Sequence, residues 1–520
     1  MAFHWVDAVV KRIFAEKGKK NKYVCAAGIT PSGTVHIGNF REIITVELVV
    51  RALKDAGKQV RFIYSWDDYD VFRKVPGNMP QQAMLKKNLR KPIIDIPDPF
   101  GTEKNYARHH EIDVEKDVAI VGIKPEYIYQ SKKYRNCDYS KEIIKALQNS
   151  DKIKKILNEY RKESLPNSWL PISGFCPVCG LDDITFSDYD GVHSIKMECL
   201  LCSEKIEVDI KKSSFLKLPW RVDWAMRWYY EQVDFEPGGK DHSTIGGSFS
   251  TAKEIVKLYN WSAPTYQMYD FIRIKGAGGK ISSSKGNVIT LSVCLEIYEP
   301  EIVRWLFVGT RPNAEFAISF DLDVIKIYED FDKCERIYFG KEKVKEKEFE
   351  KQKRIYELSA INKVEKKIPF QPGFRHLTNV LLSNEMNIDN AIKYYKKEIK
   401  TKNDEKKLRV RAKCAINWLK KYAPEDFKYE IKNSIPTNFK LQNNVKNALK
   451  EVSKILSAKD WNDKELHNEF YRLIKKHDLE TSEFFKGAYR VLINKEKGPV
   501  LANFILTIGK ERVAKLFDKL

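Results

Sequence analysis

The sequence predicts an α/β protein with a split, Rossmann-like, doubly wound parallel sheet, followed by an all-α region. An apolar strand (23–28), an amphipathic helix (40–56) and a second strand (60–65) form a βαβ unit, whose strands must be parallel. Apolar runs punctuated by glycine resume at 219–290, which indicates that an insertion splits the sheet. From about residue 345 onward, glycine and strand-like runs disappear and apolar residues recur at helical spacing.

The turn between the first strand and its helix reads TPSGTVHIGN (30–39). Its glycines let a flat or phosphate-bearing ligand approach the backbone, and the helix start offers free N–H groups and a positive dipole to an anion. His36 and Asn39 can then donate hydrogen bonds to phosphate oxygens. Such a turn can also carry glycine and asparagine for conformational reasons alone, so this motif by itself fixes no function.

The second strand ends in an acidic cluster, SWDDYD (65–70). Because the carboxyl ends of parallel strands meet at one edge of the sheet, we expect this cluster and the turn 30–39 to line the same crevice. Asp67, Asp68 and Asp70 are therefore candidate ligand-binding carboxylates. Capping or purely structural roles are the alternative for each of them.

The middle of the chain carries two cysteine pairs, CPVCG (176–180) and CLLC (199–202), in the spacing C-x2-C-x19-C-x2-C. Two such knuckles can hold Zn2+ tetrahedrally between four thiolates. Four cysteines leave no open position on the metal, so the zinc is expected to be structural. Two unrelated reduced pairs are the alternative, and a redox role is disfavoured because neither pair opens a βαβ unit. The predicted ligands are Cys176, Cys179, Cys199 and Cys202.

The second half of the sheet ends in a glycine-rich segment, KGAGGKISSSKGN (275–287). Such a loop can close over a triphosphate and place the ammonium groups of Lys280 and Lys285 where charge develops as pyrophosphate leaves. A basic surface loop without a ligand is the alternative. The segment is informative mainly in combination with the turn 30–39.

Composition favours a polyanionic partner and a reducing compartment. Lysine and arginine number 92 against 71 acidic residues, a formal net charge of +21, which suits nucleic acid, although a lysine-rich solvated surface would give the same balance. Nine cysteines, an odd number, fit a cytoplasmic protein better than a disulfide framework. No segment has the length or apolarity expected of a membrane span or an export signal.

Taken together, HIGN (36–39) and KISSSKGN (280–287) resemble the HIGH and KMSKS signatures of class I aminoacyl-tRNA synthetases, and GGKDH (238–242) resembles their ribose-binding turn. Within the class, GITPSGTVHIGNFRE, SWDDYD, KLPWRVDWAMRW and KISSSKGN look like the archaeal-type class I lysyl-tRNA synthetases, over essentially the whole chain. Two departures stand out. Asn39 replaces a histidine that could carry charge, and Ser283 replaces the second lysine of KMSKS, which leaves open whether Lys280 or Lys285 contacts the phosphates.

The resemblance implies a ligase that activates L-lysine with ATP and Mg2+ and transfers it to the 2′-hydroxyl of the terminal adenosine of tRNA(Lys). The implied catalytic residues are His36, Asn39, Lys280 and Lys285. The implied ATP-binding residues are Gly33, Gly38, Gly239, Asp241, Ser282 and Ser283. Oligomeric state, the anticodon-reading residues and any need for tRNA during activation stay open.

A lysine side chain requires apolar or aromatic walls and a carboxylate or an aromatic face for its ammonium group. Asp223 joins the acidic cluster 65–70 as a candidate carboxylate, with core or capping roles as the alternative. Ala26 stands where glutamyl enzymes carry an arginine for the substrate side chain, so an acidic amino acid would lack its partner here. The predicted lysine-binding residues are Gly28, Thr30, Asp67, Trp220, His242 and Tyr269.

The expected domains follow from the same comparison. They are a first catalytic half (1–110), a zinc-binding insertion (111–215), a second catalytic half (216–300), a linking stem-contact region (301–345) and a helical anticodon-binding domain (346–520). A small-molecule nucleotidyltransferase is a rival reading, but such enzymes generally lack the zinc insertion and the helical domain. A non-catalytic RNA-binding paralogue is the third, and the intact signatures disfavour it.

Overall fold

The computed structural model describes residues 4–275, 288–435 and 440–520. The chain forms two compact units, each assembled from several segments. The first comprises Met1–Leu295, Pro300–Ile318 and Gly340–Val364, and the second Glu296–Glu299, Ser319–Phe339 and Glu365–Leu520. Within the described ranges, no helix is both long and apolar enough to cross a membrane.

The strands all lie in the first unit. In chain order they are Lys22–Ile29 (β1), Gln59–Trp66 (β2), Glu126–Tyr129 (β3), Ser173–Gly174 (β4), Ile184–Ser187 (β5), Ser194–Cys199 (β6), Lys205–Asp209 (β7), Leu216–Lys217 (β8), Phe235–Gly239 (β9), Thr265–Tyr269 (β10), Ile272–Ile274 (β11) and Phe316–Ile318 (β12).

The helices are shared between the two units. In chain order they are Trp5–Lys17 (α1), Ile37–Asp55 (α2), Gln82–Lys87 (α3), Tyr106–Ile120 (α4), Gln130–Arg135 (α5), Ser140–Gln148 (α6), Ser150–Asn158 (α7), Trp220–Tyr230 (α8), Ser248–Leu258 (α9), Leu291–Ile297 (α10), Pro300–Val308 (α11), Asp323–Tyr338 (α12), Glu346–Ser359 (α13), Phe374–Ser383 (α14), Ile388–Tyr394 (α15), Lys402–Lys421 (α16), Asn443–Ala458 (α17), Asp463–Lys476 (α18), Thr481–Ile493 (α19), Leu501–Ile508 (α20) and Lys510–Asp518 (α21).

A five-stranded sheet in the order β10-β9-β1-β2-β3, parallel throughout, forms the centre of the first unit. The chain runs outward from β1 through β2 to β3, and it later returns beside β1 as β9 before continuing to β10. The strand order therefore reverses between β1 and β9, and ligands of such sheets bind at this switch point, beyond the carboxyl ends of the strands. The predicted split, doubly wound parallel sheet is confirmed.

Helix α2 begins three residues earlier than the apolar pattern predicts, inside the HIGN motif. The side-chain oxygen of Asn39 accepts a hydrogen bond from the backbone N–H of His36 at 3.1 Å, so this pair caps the first turn. The helix ends near the predicted Gly57, whose φ of 75° is the left-handed conformation typical of a residue that follows a helix. Capping by the motif itself explains the earlier start.

The insertion between β3 and β9 contains short antiparallel strands. Strands β4 and β8 pair with each other, and β5, β6 and β7 form a three-stranded sheet. Cys176 and Cys179 lie between β4 and β5, whereas Cys199 is the last residue of β6 and Cys202 lies in the turn that leads to β7. The insertion thus places both knuckles on one small scaffold.

The second unit is helical, as the apolar spacing predicts. Along α17 the side chains at helical spacing are buried. Arg411 is buried in the same unit, where its guanidinium contacts Glu299 at 2.6 Å and Asp332 at 2.8 Å. These carboxylates compensate a charge that would otherwise be costly to bury. The all-α C-terminal region is confirmed.

Candidate active site

A cavity of about 800 Å³ opens at the switch point of the parallel sheet. Its walls come from the carboxyl ends of β1, β2 and β10, the turn that precedes α2, the start of α8 and the turn that follows β9. The size is within the range of small-molecule sites. The sequence-predicted residues that line it are Gly28, Thr30, Gly33, His36, Asn39, Asp67, Trp220, His242 and Tyr269.

Other predicted residues lie beside the cavity or outside the described ranges. Gly38, Gly239 and Asp241 do not line its walls, although Asp241 is the neighbour of His242, which does. Four predicted residues fall outside the described residues: Lys280, Ser282, Ser283 and Lys285. Shortly after that segment, the carbonyl oxygen of Ile289 accepts a hydrogen bond from the N–H of Ile37 at 2.8 Å. The chain that leaves KISSSKGN therefore passes directly beside HIGN.

Two glycines of the site are required by close approaches. A Cβ atom on Gly38 would lie 2.8 Å from the His36 ring, so glycine lets that ring fold back over the first turn of α2. A Cβ atom on Gly28 would lie 2.9 Å from the carbonyl oxygen of Ser65, the residue opposite it in the β1–β2 pairing. Gly28 thereby allows the close pairing of β1 with β2 at the cavity wall, and Gly38 allows the position of the His36 ring.

Asp67 is neutralised by a buried arginine. The guanidinium of Arg227, on α8, lies 2.6 Å from a carboxylate oxygen of Asp67 and 3.1 Å from one of Asp223. Asp223 also accepts a hydrogen bond from the hydroxyl of Tyr134. Two of the predicted candidate carboxylates are therefore already engaged with one cation.

Asp70 faces the cavity but is also paired. The ammonium group of Lys217 lies 2.5 Å from one of its oxygens, and the hydroxyl of Thr30 donates to the other at 3.0 Å. Burial disfavours the ionised carboxyl, but Lys217 and Thr30 outweigh it and hold the pKa of Asp70 below its ordinary value. The sequence reasoning missed Lys217, which lines the cavity although 92 % of its surface is buried.

Asp68 points away from this cavity. Its carboxylate accepts hydrogen bonds from the backbone N–H of Ser131 at 2.7 Å and from the Ser131 hydroxyl. Burial raises its pKa to about 6. Among the acidic residues of the turn after β2, Asp67 and Asp70 line the cavity and Asp68 does not.

Glu42 is a cavity carboxylate that the sequence reasoning missed. It lies one turn after Asn39 on α2, and it accepts hydrogen bonds from the N–H of Gly28 at 3.0 Å and from the hydroxyl of Tyr269 at 2.5 Å. Burial raises its pKa to about 7. Among the described residues, no lysine or arginine pairs with it. The i, i+3 spacing from Asn39 was the available signal, since it puts both residues on one helix face.

Aromatic rings form one wall and continue into a smaller cavity. Trp220, at the start of α8, stacks on Trp224 with 5.4 Å between ring centroids, and its ring centroid lies 6.4 Å from that of His242. A cavity of about 90 Å³ lies behind this wall and shares Glu42 with the larger one. Ala26 lines the smaller cavity, so the position that would need an arginine for an acidic substrate is apolar.

The four cysteines of the insertion have the geometry of a metal site. All their sulfur atoms lie within 4.8 Å of one another. The closest pairs are Cys176 with Cys202 at 3.6 Å and Cys179 with Cys199 at 3.7 Å. A tetrahedral zinc site with metal–sulfur bonds of ~2.3 Å has sulfur–sulfur edges of ~3.8 Å. The cysteines are therefore compatible with one structural zinc ion.

The comparisons with known proteins agree with these observations. A family model described as tRNA synthetases class I (K) matches residues 3–362. A lysine–tRNA ligase of Borrelia garinii is 51% identical to this chain over 99% of both proteins. The corresponding ligase of Treponema pallidum is 46% identical over 99% of this chain and 98% of its own length, and that of Thermococcus kodakarensis is 40% identical over 98% of each.

The family model spans well over half of the chain, and the relatives align along nearly all of it, including the helical region that follows the matched residues. The resemblance carried by HIGN, SWDDYD and KISSSKGN is thereby confirmed. The chain belongs to the class I tRNA synthetases of the lysine type.

Proposed function

We propose that the chain activates L-lysine with ATP and transfers it to the terminal adenosine of tRNA(Lys). The observation that carries the proposal is the pairing of charges in the 800 Å³ cavity. Asp70 is paired with Lys217, and Asp67 shares Arg227 with Asp223, whereas Glu42 has hydrogen-bond donors but no described cation. A ligand ammonium group supplies the missing charge, and the HIGN turn lines the same cavity, one helical turn before Glu42.

The side chain of lysine fits between Trp220 and Glu42. In this arrangement its methylene groups pack against the Trp220 and His242 rings, and its ammonium group contacts Glu42 beside the Tyr269 hydroxyl. The two hydrogen bonds that hold Glu42 fix its orientation before substrate arrives. The resulting ion pair forms with little reorganisation of the protein, which favours binding. The apolar surface of Ala26 disfavours glutamate at the same place.

The first chemical step requires positioning more than proton transfer. A carboxylate oxygen of lysine attacks the α-phosphorus of ATP, a new oxygen–phosphorus bond forms, and the bond to pyrophosphate breaks. The attacking carboxylate is already ionised near neutral pH, so catalysis comes from in-line geometry and from neutralising charge on the phosphates. We assign that work to His36 and to the amide N–H2 of Asn39. Lys280 and Lys285 stay predicted contributors, and Mg2+ carried by ATP shields the phosphate charge.

In the second step a ribose hydroxyl of the tRNA terminal adenosine attacks the lysyl carbonyl carbon and loses its proton. The bond between that carbon and the phosphate oxygen breaks, and AMP leaves with this oxygen. The class resemblance implies the 2′-hydroxyl. A formal charge of +21 favours encounter with RNA. Zinc, held by the four cysteines, would keep the insertion folded and take no part in the chemistry, since four thiolates fill its coordination positions.

The test is ATP–pyrophosphate exchange with each of the twenty amino acids, run with and without tRNA, followed by charging of tRNA(Lys). We expect exchange with lysine alone. The variant His36→Ala should lose exchange while keeping its melting temperature, and a half-buried histidine that does not line the cavity, His193, is the matched control. Exchange that prefers another amino acid, or RNA binding without any exchange, would contradict the proposal.

A further inference from the structure

A second cavity, of about 620 Å³, lies at the same edge of the parallel sheet but on the side of the edge strand β3. The turn after β2 separates the two cavities, because Asp67 and Asp70 line the first and Asp68 lines the second. The remaining wall comes from the start of α4 and from α5. Carboxyl ends of parallel strands are the usual ligand-binding edge of such a sheet.

The floor of the second cavity carries a buried acceptor that lacks a partner. Glu111 is 1% exposed, and one of its oxygens accepts from Arg108 at 3.2 Å. Its other oxygen, Oε1, has no hydrogen-bond partner among the described residues. Because an unsatisfied buried polar atom costs free energy, a ligand that donates an N–H or O–H to this oxygen gains from filling the place.

The rim of the second cavity carries positive charge. Arg108 and Arg135 line it but are already paired, with Glu115 at 2.8 Å and Asp95 at 2.6 Å respectively. Lys104 and Lys132 also line it, and neither forms an ion pair with a described carboxylate. The surplus at the rim is therefore two exposed ammonium groups, which suit an anion.

The ligand must combine an anionic end with a donor some distance away. Inorganic phosphate offers the anion but is far smaller than 620 Å³, and placed near Glu111 it would be repelled. A nucleotide carries a phosphate, sugar hydroxyls and a base with N–H donors in one molecule, and its size suits a cavity of this volume. The Tyr129 ring also lines the wall, and the Lys132 ammonium, 4.3 Å from its centroid, lies over it.

We propose that the second cavity binds one nucleotide unit, with Lys104 and Lys132 on its phosphate and Glu111 accepting a hydrogen bond from its sugar or base. The nucleotide comes either from a free mononucleotide or from an unpaired residue of an RNA strand whose end enters the first cavity. Only the RNA source rests on the proposed function. Asp67 lines the first cavity and its neighbour Asp68 lines the second, so a nucleotide in the second cavity would lie next to the lysine site.

The experiment measures binding to the full-length protein with the first cavity saturated by a non-hydrolysable lysyl-adenylate analogue. One arm titrates AMP, and the other titrates an RNA hairpin with four unpaired nucleotides at its 3′ end. The variant pair Lys104→Ala with Lys132→Ala removes both rim charges. The matched pair Lys116→Ala with Lys124→Ala removes two exposed charges that do not line the cavity.

We expect the rim pair to weaken binding of at least one probe about tenfold and to lower the salt dependence, while the matched pair changes neither. Glu111→Gln should weaken the same probe about fivefold without lowering the melting temperature. An effect on AMP identifies the free-nucleotide source, and an effect on the hairpin alone identifies RNA.

Equal affinities for the rim pair and the matched pair in both arms would overturn the inference. So would displacement of the probe by inorganic phosphate at the concentration at which AMP displaces it, because the site would then recognise an anion only. The proposed function is tested separately, by measuring whether the wild-type protein charges tRNA(Lys).

Discussion

Glu42→Gln tests the lysine pocket most directly. Glutamine keeps the shape of the side chain, but its one oxygen can accept only one of the bonds that Gly28 and Tyr269 donate to the two oxygens of Glu42. It also removes the charge that we expect to hold the substrate ammonium. Removing one partner of a buried, hydrogen-bonded charge pair costs about 2–5 kcal/mol. The lower part of that range corresponds to a KM for lysine on the order of 100-fold higher, with the KM for ATP unchanged.

The same residue predicts a pH dependence. Because burial raises the pKa of Glu42 to about 7, the carboxylate that binds the ammonium group is lost as pH falls through 7. The ionised fraction drops from about nine-tenths at pH 8 to about one-tenth at pH 6, so the KM for lysine should rise about tenfold over that interval. In Glu42→Gln this rise should disappear, as measured by ATP–pyrophosphate exchange at both pH values.

Glu236→Gln is the control for that assay. Burial also raises the pKa of Glu236 to about 7, and this residue lines only the smaller cavity, where Trp228 donates to it at 2.5 Å. The control should therefore keep a pH dependence, displaced to lower pH, because the charge of Glu236 contributes to the raised pKa of Glu42. A tenfold rise in KM that persists in Glu42→Gln, or one that vanishes in Glu236→Gln, would refute the assignment of the ammonium site to Glu42.

Three further predictions concern the wall, the signature loop and the metal site. Trp220→Ala should cost on the order of 1–3 kcal/mol in discrimination between lysine and shorter analogues, with a nearly unchanged KM for ATP. If ATP binding and the melting temperature fell as well, Trp220 would be a core residue instead. At least one of Lys280→Ala and Lys285→Ala should slow adenylate formation far more than it weakens lysine binding, in single-turnover measurements; unchanged rates in both variants would exclude them from catalysis. Cys199→Ser should lower zinc content and loosen the insertion, and full zinc occupancy by elemental analysis would reject this ligand.

The fold class and the place of the cavity could be predicted because their signals are local. A strand, a capped helix and a parallel strand follow one another within residues 22–66, and this order alone fixes which ends of the strands meet. HIGN therefore had to lie at the carboxyl edge of the sheet. The candidate metal site could be predicted from the cysteine spacing for the same reason. Each C-x2-C pair brings two thiolates together through local chain geometry alone.

The sequence by itself thus determined the family, the doubly wound sheet and a minority of the residues that line the cavity. Only the tertiary structure decided which carboxylate is left for the substrate. Asp67 meets its arginine across 160 residues of chain, and Asp70 meets Lys217 across 147. No local pattern records such partners, and the charge of a buried carboxylate depends on them more than on its own neighbours in sequence. Glu42 became the candidate for the ammonium site because, among the described residues, the fold gives it two hydrogen-bond donors but no lysine or arginine partner.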